Sequence, residues 1–386
     1  MNNRNFFKDH NKLLCPINSS SKFKLLFKIK KFPIYMGTVN KKKKYKFQSM
    51  NFFINKSSGS VQIFPRIDLK KLYFKSHGSG KVGRVWGDHH KKFYKFLRIR
   101  KNSELLEIGG GHNSLSLNEE IKKKNVSLTS FEPSKKKIKK KNFLNIKNFF
   151  NYNSILEYNL VDKFDIVVHS HLFEHIYQAE TFLQAIHLSL KKNGKHIFAI
   201  PNMEPMVKKG IASAINFEHP FYLDQKSVDY LLKKNGFRII EKKLFGNAHS
   251  IFYKTVKTAP VKNIKFTSSF KKNNRIFRNL ENNWINDIKK INKILNNKNN
   301  NIYLFGAHIF SQMLIFNGLN IENVSNILDN DPDKQGEYLY GTSFKVASPM
   351  ILKDILRPLV ILRAGEYNKE IIDYITKHIN RNVEFV

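Results

Sequence analysis

A run of glycines stands where an apolar segment gives way to a helical pattern, which is a place where backbone can bind a ligand. Glycine lets the chain approach a ligand closely, and the start of a helix offers free N–H groups. A dinucleotide-binding turn would need another glycine at the position of Ser114, so a pyrophosphate site is disfavoured. The candidate cofactor-binding residues of this turn are Glu107, Gly109, Gly110, Gly111 and Asn113.

An acidic residue follows the glycine run at a distance that suits ribose recognition. Glu132 lies 21 residues after Gly111 and ends a second apolar run. A carboxylate at the carboxyl edge of a parallel sheet can accept hydrogen bonds from both hydroxyls of a ribose. The simpler alternative is a solvated acid at the end of a strand, but the preceding glycine turn favours a cofactor role for Glu132.

A histidine-rich segment, 169–175 (HSHLFEH), follows a third buried run. Ligands bind at the carboxyl ends of strands in sheets of this kind, so the segment is expected to line the same cleft. His171, Glu174 and His175 would share one face of a helical turn, and two histidines with one carboxylate form a known metal-ligand set. Such clusters more often line a cleft or form hydrogen bonds, so the sequence predicts no metal here.

The long segment 202–224 separates a strand from the next helix, and insertions at this edge usually carry substrate contacts. Within it, His219 directly follows Glu218. Imidazole titrates near neutral pH, and a carboxylate can orient it, so we predict His219 as a general base with Glu218 as its partner. A structural histidine ahead of the helix is the alternative.

The elements that must position these residues alternate between short β-rich runs and helical stretches. This alternation over 93–258 predicts a parallel, doubly wound α/β sheet covered on both faces. The runs 237–245 and 250–257 predict a closing antiparallel hairpin. Residues 301–386 alternate again and predict a second, smaller Rossmann-like domain. The remaining divisions are a small N-terminal region over 1–92 and a helical linker over 259–300.

Individual elements follow from the same patterns. A lysine run, 135–141, is interpreted as the solvated face of a helix. The expected strands of the main domain are 104–108, 126–132, 164–170 and 195–201, and its expected helices are 114–124, 172–191 and 225–235.

The balance of lysine and arginine bears on whether the protein binds nucleic acid. The 386 residues include 57 Lys and only 11 Arg, and the formal net charge is +38. Dedicated nucleic-acid surfaces favour arginine for bidentate contacts, and these lysines are scattered, so we interpret the charge as a compositional bias. A polyanion-binding surface is the alternative. We expect a small-molecule substrate and no nucleic acid.

Cysteine content and hydropathy argue against a disulfide-bonded protein, a Cys-rich zinc protein and a membrane-spanning protein. A single cysteine, Cys15, excludes an internal disulfide and a Cys-rich zinc site. No apolar run reaches the ~18–20 residues of a membrane span, and the N-terminus has no apolar signal core. A cytoplasmic location is therefore expected. The basic amphipathic stretch 22–35 is predicted to pack on its own domain, with contact to a membrane surface as the alternative.

Together these motifs resemble class I S-adenosylmethionine (SAM)-dependent methyltransferases. The resemblance rests on the ExGxGxN turn, the acid ending strand two, the segment FDIVVHSHLFEH and the terminal hairpin, and it covers 104–257. It implies that SAM is the cofactor. It also implies that Gly109 and Gly111 flank the methionine end, that Glu132 binds the ribose, and that His171 lies beside the methionine portion. Glu107 would anchor the loop.

A narrower resemblance is to nucleotide-sugar C-methyltransferases. Their substrate motif, Tyr-His-Glu-His-x-Ser-Tyr-Phe, corresponds in position to the part of segment 202–224 that contains Glu218 and His219. Glu218, His219 and Tyr222 match it, whereas Asn216 and Phe217 replace its first two residues. The resemblance implies a nucleotide-sugar substrate, with Tyr222 as a substrate-binding residue. It also covers the C-terminal domain, through FGA, DNDPDKQG and EYNKEI in order.

The N-terminal region is where the chain departs most from these relatives. They begin with a zinc domain built on paired cysteines; one cysteine cannot supply four ligands, so no zinc is predicted. Tyr73 and His89 lie in a stretch similar to the segment that precedes the cofactor fold. They either reach the substrate site or pack in the core.

The resemblance implies a mechanism in which a keto group acidifies a neighbouring C–H, His219 takes the proton, and the carbon receives the methyl group. Three other functions stay open from the sequence. They are methylation of oxygen or nitrogen on a sugar, lipid or small metabolite, methylation of nucleic acid, and a binding protein that has lost activity.

Overall fold

The computed structural model of the chain describes residues 12–41, 44–73, 83–111, 114–133, 138–297 and 301–386. Its first part is an antiparallel sheet of three strands in the order β1-β3-β4, followed by two helices. The sheet strands are β1 (Phe23–Pro33), β3 (Phe47–Asn55) and β4 (Val61–Phe64), and the helices are α1 (Leu69–Leu72) and α2 (Arg84–Leu97). The short strand β2 (Thr38–Val39) lies outside this sheet. The sheet includes most of the amphipathic stretch 22–35, which packs on its own domain as predicted.

Hydrogen bonds close the turn that follows β3, beside Cys15. Cys15 is buried, and its Sγ lies 3.1 Å from Ser58 Oγ. The side-chain oxygen of Asn55 accepts hydrogen bonds from the backbone N–H groups of Ser57 and Ser58 at 3.1 and 3.0 Å. Polar side chains therefore hold this turn.

The main domain is built on eight strands in the order β11-β12-β10-β9-β5-β6-β8-β7. The five strands from β10 to β8 run parallel, and β12 and β11 form the antiparallel hairpin that the sequence predicts at one edge. The strands are β5 (Glu104–Ile108), β6 (Ser127–Phe131), β7 (Ile138–Lys140), β8 (Phe143–Ile146), β9 (Phe164–Ser170), β10 (Leu190–Pro201), β11 (Phe237–Phe245) and β12 (Ser250–Lys257). The helices are α3 (Glu119–Lys122), α4 (Tyr152–Glu157), α5 (Ala179–Ser189), α6 (Met203–Lys208) and α7 (Gln225–Lys234).

Three local predictions in this domain are wrong. The stretch 114–124 forms a 3₁₀ turn, Leu115–Leu117, before the short α3, because Asn118 caps a new helix. The stretch 172–191 is likewise divided into a 3₁₀ turn, Phe173–His175, and α5. Part of the lysine run forms the edge strand β7, a position at which lysine is well tolerated.

The C-terminal part is a smaller parallel sheet in the order β16-β14-β13-β17-β18, as expected of a Rossmann-like unit. Its elements are β13 (Ile302–Phe305), α9 (Ile309–Phe316), β14 (Val324–Leu328), β15 (Tyr338–Leu339), β16 (Val346–Ala347), β17 (Leu359–Leu362), α10 (Asn368–His378) and β18 (Glu384–Phe385). Pairing of β15 with β2 links this part to the N-terminal region. No helix of the described residues is both long enough and apolar enough to cross a bilayer.

One predicted boundary falls inside a helix, and the segment predicted as a helical linker packs in the core. Helix α2 runs across the boundary placed at 92–93, and Phe93 and Phe96 pack in the core beside β12. The segment expected as a linker contains α8 (Phe270–Leu295), which buries Phe277 and Leu280 against the N-terminal sheet. Hydrophobic burial on both sides of α8 therefore joins the parts of the chain.

Two histidines are buried in the middle of the main sheet, where they bond to each other. Nε2 of His169 on β9 lies 2.9 Å from Nε2 of His196 on β10. Burial lowers the pKa of His196 well below its ordinary value, and the nearby His169 adds to that effect. The folded protein therefore holds this imidazole neutral, whereas the unfolded chain binds a proton below about pH 6.5.

We expect this histidine to make the fold sensitive to acid. Its stabilising effect is present above the unfolded pKa and is lost as pH falls, so the free energy of unfolding of wild type should fall below pH 6. In His196→Leu, the slope between pH 6 and 4.5 should be shallower by about 1.4 kcal/mol per pH unit, measured by urea unfolding. The control is His378→Leu at the exposed end of α10. Equal slopes in wild type and His196→Leu would contradict this expectation.

Candidate active site

The glycine bend and the acidic strand end lie side by side, as the sequence predicts. Gly109 and Gly111 have φ of 70° and 48°, in the left-handed region that favours glycine. The N–H of Gly109 donates to the carbonyl of Phe131 at 2.9 Å, and that of Gly111 donates to Glu132 Oε2 at 3.1 Å. Asn113 lies outside the described residues. A carboxylate and a bend with no side chains therefore share one edge of the sheet.

Glu107, near the end of β5, anchors the bend through hydrogen bonds to the residues that follow it. Its side chain is buried, with one oxygen accepting a hydrogen bond from Ser114 Oγ at 2.5 Å and the other from the N–H of Leu115 at 2.8 Å. These two bonds tie the 3₁₀ turn that follows the bend back to the end of β5. Hydrogen bonds to a buried carboxylate are stronger than those between neutral groups, so the bend is held in one shape.

Gly110 tests this anchoring. A Cβ at Gly110 would lie 2.5 Å from Glu107 Oε2, so in Gly110→Ala the carboxylate or the bend must shift. We expect a loss of about 1–3 kcal/mol in the free energy of unfolding and weaker binding of the ligand that uses the bend. Thermal unfolding and calorimetry measure both effects. The control is Gly87→Ala in α2, where an added Cβ meets nothing within 4 Å. A Gly110→Ala variant as stable as that control would argue against a fixed bend.

His219 has the hydrogen-bond pattern of a base. Its Nδ1 lies 2.8 Å from the carbonyl oxygen of Ser213, and its backbone N–H donates to Asn216 Oδ1 at 3.2 Å. A carbonyl can only accept, so Nδ1 carries the proton and Nε2 of the neutral ring is the unprotonated nitrogen. An imidazole fixed in this tautomer can remove a proton from a substrate.

The side chains of His175 and Glu174 lie beside His219, and Tyr73 contacts His175. The ring of His175 packs edge-on against that of His219 with centroids 4.5 Å apart, and Tyr73 Oη lies 2.6 Å from His175 Nδ1. A carboxylate oxygen of Glu174 and ring nitrogens of His175 and His219 all lie within 4.8 Å of one another. Burial raises the pKa of Glu174 to about 7, an effect that His219 opposes. Tyr73 therefore contacts His175, which in turn packs against His219, and its role in substrate binding stays a prediction.

The structure gives His219 Nδ1 a hydrogen-bond partner other than the predicted Glu218. Glu218 is buried, its N–H donates to Asn216 Oδ1 at 2.8 Å, and its charge adds to the effect of burial in raising the pKa of Tyr73 and Tyr177. It therefore faces tyrosines, and the carbonyl of Ser213 orients the imidazole instead. Side chains of consecutive residues leave the backbone in different directions, so adjacency in sequence does not by itself make two residues partners.

Tyr222, a predicted substrate-binding residue, lies in the core. It is 2% exposed, its ring packs edge-on against Phe277 of α8 at 5.1 Å, and its N–H donates to the carbonyl of Val61 at 3.0 Å. Burial raises its pKa. Tyr222 therefore packs segment 202–224 against α8 and the N-terminal sheet.

His89, also predicted to bind substrate, belongs to a group with His171 and His249, here called the three-histidine group. His89 is fully buried, and its ring centroid lies 5.2 Å from that of His171 and 5.3 Å from that of His249. Burial lowers the pKa of His171 and of His249 to about 3, so both imidazoles are neutral. Because this group surrounds His89, the prediction of a substrate contact is replaced.

His171 connects this group to the bend. It has φ of 50°, and the next residue, Leu172, would lie 3.3 Å from a Cβ placed on Gly109. Its Nδ1 lies 3.3 Å from Glu174 Oε1, so Glu174 stands between the three-histidine group and the base. The place predicted for His171, beside the methionine portion of SAM, stays a prediction.

Sequence reasoning missed several residues of the site. Ser213 acts through its backbone carbonyl, which no side-chain pattern can reveal. His249 and Trp86 come from the β11–β12 turn and from α2, and their rings lie 4.7 Å apart. The position of His249 next to β12, at the carboxyl edge of β10, was the available signal.

Comparisons with known proteins give a match to a family model and matches to solved structures. Residues 81–242 match the family model of a methyltransferase domain. No curated protein matches the sequence.

Similar solved structures include an S-adenosylmethionine-dependent methyltransferase from Mesorhizobium loti. It is 10% identical with a TM-score of 0.36, and the match covers 46% of this chain and 100% of that one. Another is the 1,6-didemethyltoxoflavin-N1-methyltransferase of Burkholderia thailandensis, with bound 1,6-didemethyltoxoflavin and S-adenosylhomocysteine. It is 12% identical with a TM-score of 0.36, and the match covers 53% of this chain and 98% of that one.

Proposed function

We propose that this chain, whose residues 81–242 form a methyltransferase domain, uses SAM to methylate a carbon atom of a nucleotide-linked keto sugar. The observation that carries the proposal is the shared sheet edge. There the Gly109–Gly111 bend meets the carboxylate of Glu132, and the segment after β9 leads from the bend to His219.

The residues of the bend fit the donor. Glu132 offers a carboxylate for the two ribose hydroxyls, and the bend offers backbone without side chains to the methionine portion. His171 would lie beside that portion. When bound, SAM supplies a methyl group that its sulfonium has already activated. The protein then has to hold donor and acceptor in line and to remove a proton.

The acceptor side is arranged for proton removal from a weak acid. The Ser213 carbonyl fixes the tautomer of His219 so that Nε2 accepts the proton, and His175 packs against the ring. After transfer, the nearby Glu174 carboxyl group, with a pKa of about 7, can balance the imidazolium charge. A carbon next to a keto group is acidic enough for such a base.

The C-terminal part meets the methyltransferase domain near the three-histidine group, which supports a large, two-part substrate. Glu370 accepts a hydrogen bond from the N–H of Arg84 at 2.6 Å, and Glu366 pairs with Lys209 at 2.8 Å. Tyr367 Oη lies 3.3 Å from His249 Nε2. These contacts come from the segment EYNKEI, and we propose that this part holds the nucleotide portion.

The test is transfer of a ¹³C-methyl group from labelled SAM to a panel of nucleotide-linked keto sugars, with the product located by NMR. We expect a new carbon–carbon bond next to the keto group and no transfer to sugars that lack the keto group. Label found on oxygen or nitrogen would move the chain to the alternative class. No transfer and no binding of SAM would overturn the proposal.

A further inference from the structure

We propose that the three-histidine group binds one divalent transition-metal ion of the zinc class. One ring nitrogen from each of His89, His171 and His249 lies within 4.8 Å of the other two. Imidazole nitrogens are preferred ligands of zinc, copper, nickel and iron, and three of them with an open fourth position make a common zinc site. No local sequence pattern joins these three ligands, because they come from α2, the turn after β9 and the β11–β12 turn.

His89 provides the strongest evidence. It is 0% exposed, and neither of its ring nitrogens has a hydrogen-bond partner among the described residues. A buried polar group without a partner destabilises the fold, so such a group in a native structure calls for an explanation such as an ion. The rings of Phe245, Phe252 and Trp86 pack against His89, beside the rings of the other histidines.

The other two imidazoles point at one place. His171 Nε2 lies 2.9 Å from Ser250 Oγ, and His249 Nδ1 lies 2.6 Å from the same oxygen. Tetrahedral zinc with bonds of about 2.0–2.1 Å needs ligand nitrogens about 3.4 Å apart, so small rotations of the rings would close the site. The hydroxyl of Ser250 marks where the two nitrogens converge.

The second ring nitrogens of His171 and His249, which would face away from the ion, also have polar partners. Histidines that bind metals almost always direct the second ring nitrogen to a carboxylate, carbonyl or similar group. His171 Nδ1 faces Glu174 Oε1 at 3.3 Å, and His249 Nε2 faces Tyr367 Oη at 3.3 Å. Trp86, whose ring lies 4.9 Å from His171, hydrogen-bonds to Tyr367. The ion would tie α2, the sheet edge and the C-terminal part together.

Metal content of the full chain, purified without a polyhistidine tag, tests the proposal. After chelation and dialysis against Zn²⁺, we expect one bound equivalent by mass spectrometry and a higher melting temperature. His89→Ala and His249→Ala should each weaken Zn²⁺ affinity more than 10–100-fold, the range for loss of an outer partner. The control is His378→Ala, an exposed histidine. Absence of Zn²⁺ binding by wild type would overturn the proposal.

A second group of ligands makes the test selective. Glu174, His175 and His219 also lie close enough to hold an ion. We expect His175→Ala to retain the Zn²⁺ affinity of wild type. If His175→Ala removes binding while His89→Ala and His249→Ala retain it, the ion occupies that second group and the proposal is wrong. These readouts need neither SAM nor an acceptor, so their failure is distinct from failure of the proposed methyl transfer.

Fluorescence supplies a measurement that leaves all three proposed ligands in place. The chain has two tryptophans, and Trp284→Phe leaves Trp86 as the only one, whose emission is excited apart from that of the tyrosines. The ring centroid of Trp86 lies within 5.2 Å of those of all three histidines. We expect one equivalent of Co²⁺ to quench its emission and excess Zn²⁺ to restore it. Emission unchanged by Co²⁺ would overturn the proposal.

Discussion

His219→Ala is expected to lower turnover by roughly 10²–10⁴-fold while SAM binds with unchanged affinity. The reason is that Nε2 is the unprotonated nitrogen of a ring whose Nδ1 is held by the Ser213 carbonyl at 2.8 Å. Removing the ring deletes the proposed proton acceptor and leaves the proposed donor site at the Gly109–Gly111 bend in place. Initial rates with saturating acceptor and calorimetric titration with SAM separate the two effects.

A conservative variant shows whether the loss is chemical. His219→Asn keeps an amide N–H that can donate toward Ser213 but has no basic nitrogen, so we expect it to be as slow as His219→Ala. His187→Ala, a histidine of α5 bonded to the carbonyl of Thr258, is the matched control and should keep wild-type turnover. Turnover within threefold of wild type in either His219 variant would remove the base assignment.

Glu132→Ala is expected to weaken SAM binding by about 100-fold or more. Hydrogen bonds to a charged group contribute about 1.5–3 kcal/mol each, and loss of two to the ribose corresponds to at least this change in affinity. Glu132 is 8% exposed, and its Oε2 already accepts a hydrogen bond from the Gly111 N–H at 3.1 Å. The alanine variant therefore also removes the acceptor that holds Gly111 of the bend. Calorimetry with S-adenosylhomocysteine measures the effect without turnover.

Glu132→Gln separates the two contributions. Its amide oxygen can still accept from Gly111, so the bend keeps its shape and only the charge toward the ribose is lost. We expect an affinity between those of wild type and Glu132→Ala. Glu120→Ala, an exposed acid at the start of α3, is the control and should bind as wild type does. Equal affinities for Glu132→Ala and this control would place the cofactor elsewhere.

The donor side of the site could be predicted because it depends on local patterns. Buried runs mark β5 and β6, and the glycines mark the bend between strand and helix. The carboxyl ends of neighbouring parallel strands meet at one edge, so Glu132 and Gly111 had to lie close together. The parallel sheet and its antiparallel hairpin follow from the same periodicity.

The acceptor side could not be predicted in the same way. His219 takes its orientation from a backbone carbonyl six residues earlier, and the three-histidine group joins residues up to 160 positions apart, from His89 to His249. Tertiary packing alone brings such residues together. The N-terminal sheet was missed because register shifts near Leu25 and Ile29 break the alternation of buried and exposed residues along β1.

A crystal structure of the chain with bound S-adenosylhomocysteine is the most direct test of the central assignment. We predict that both ribose hydroxyls lie within hydrogen-bond distance of the Glu132 carboxylate and that the sulfur faces the cleft in which His219 lies. A ligand bound away from residues 109–111, or a Glu132 side chain that makes no contact with the ribose, would contradict the account.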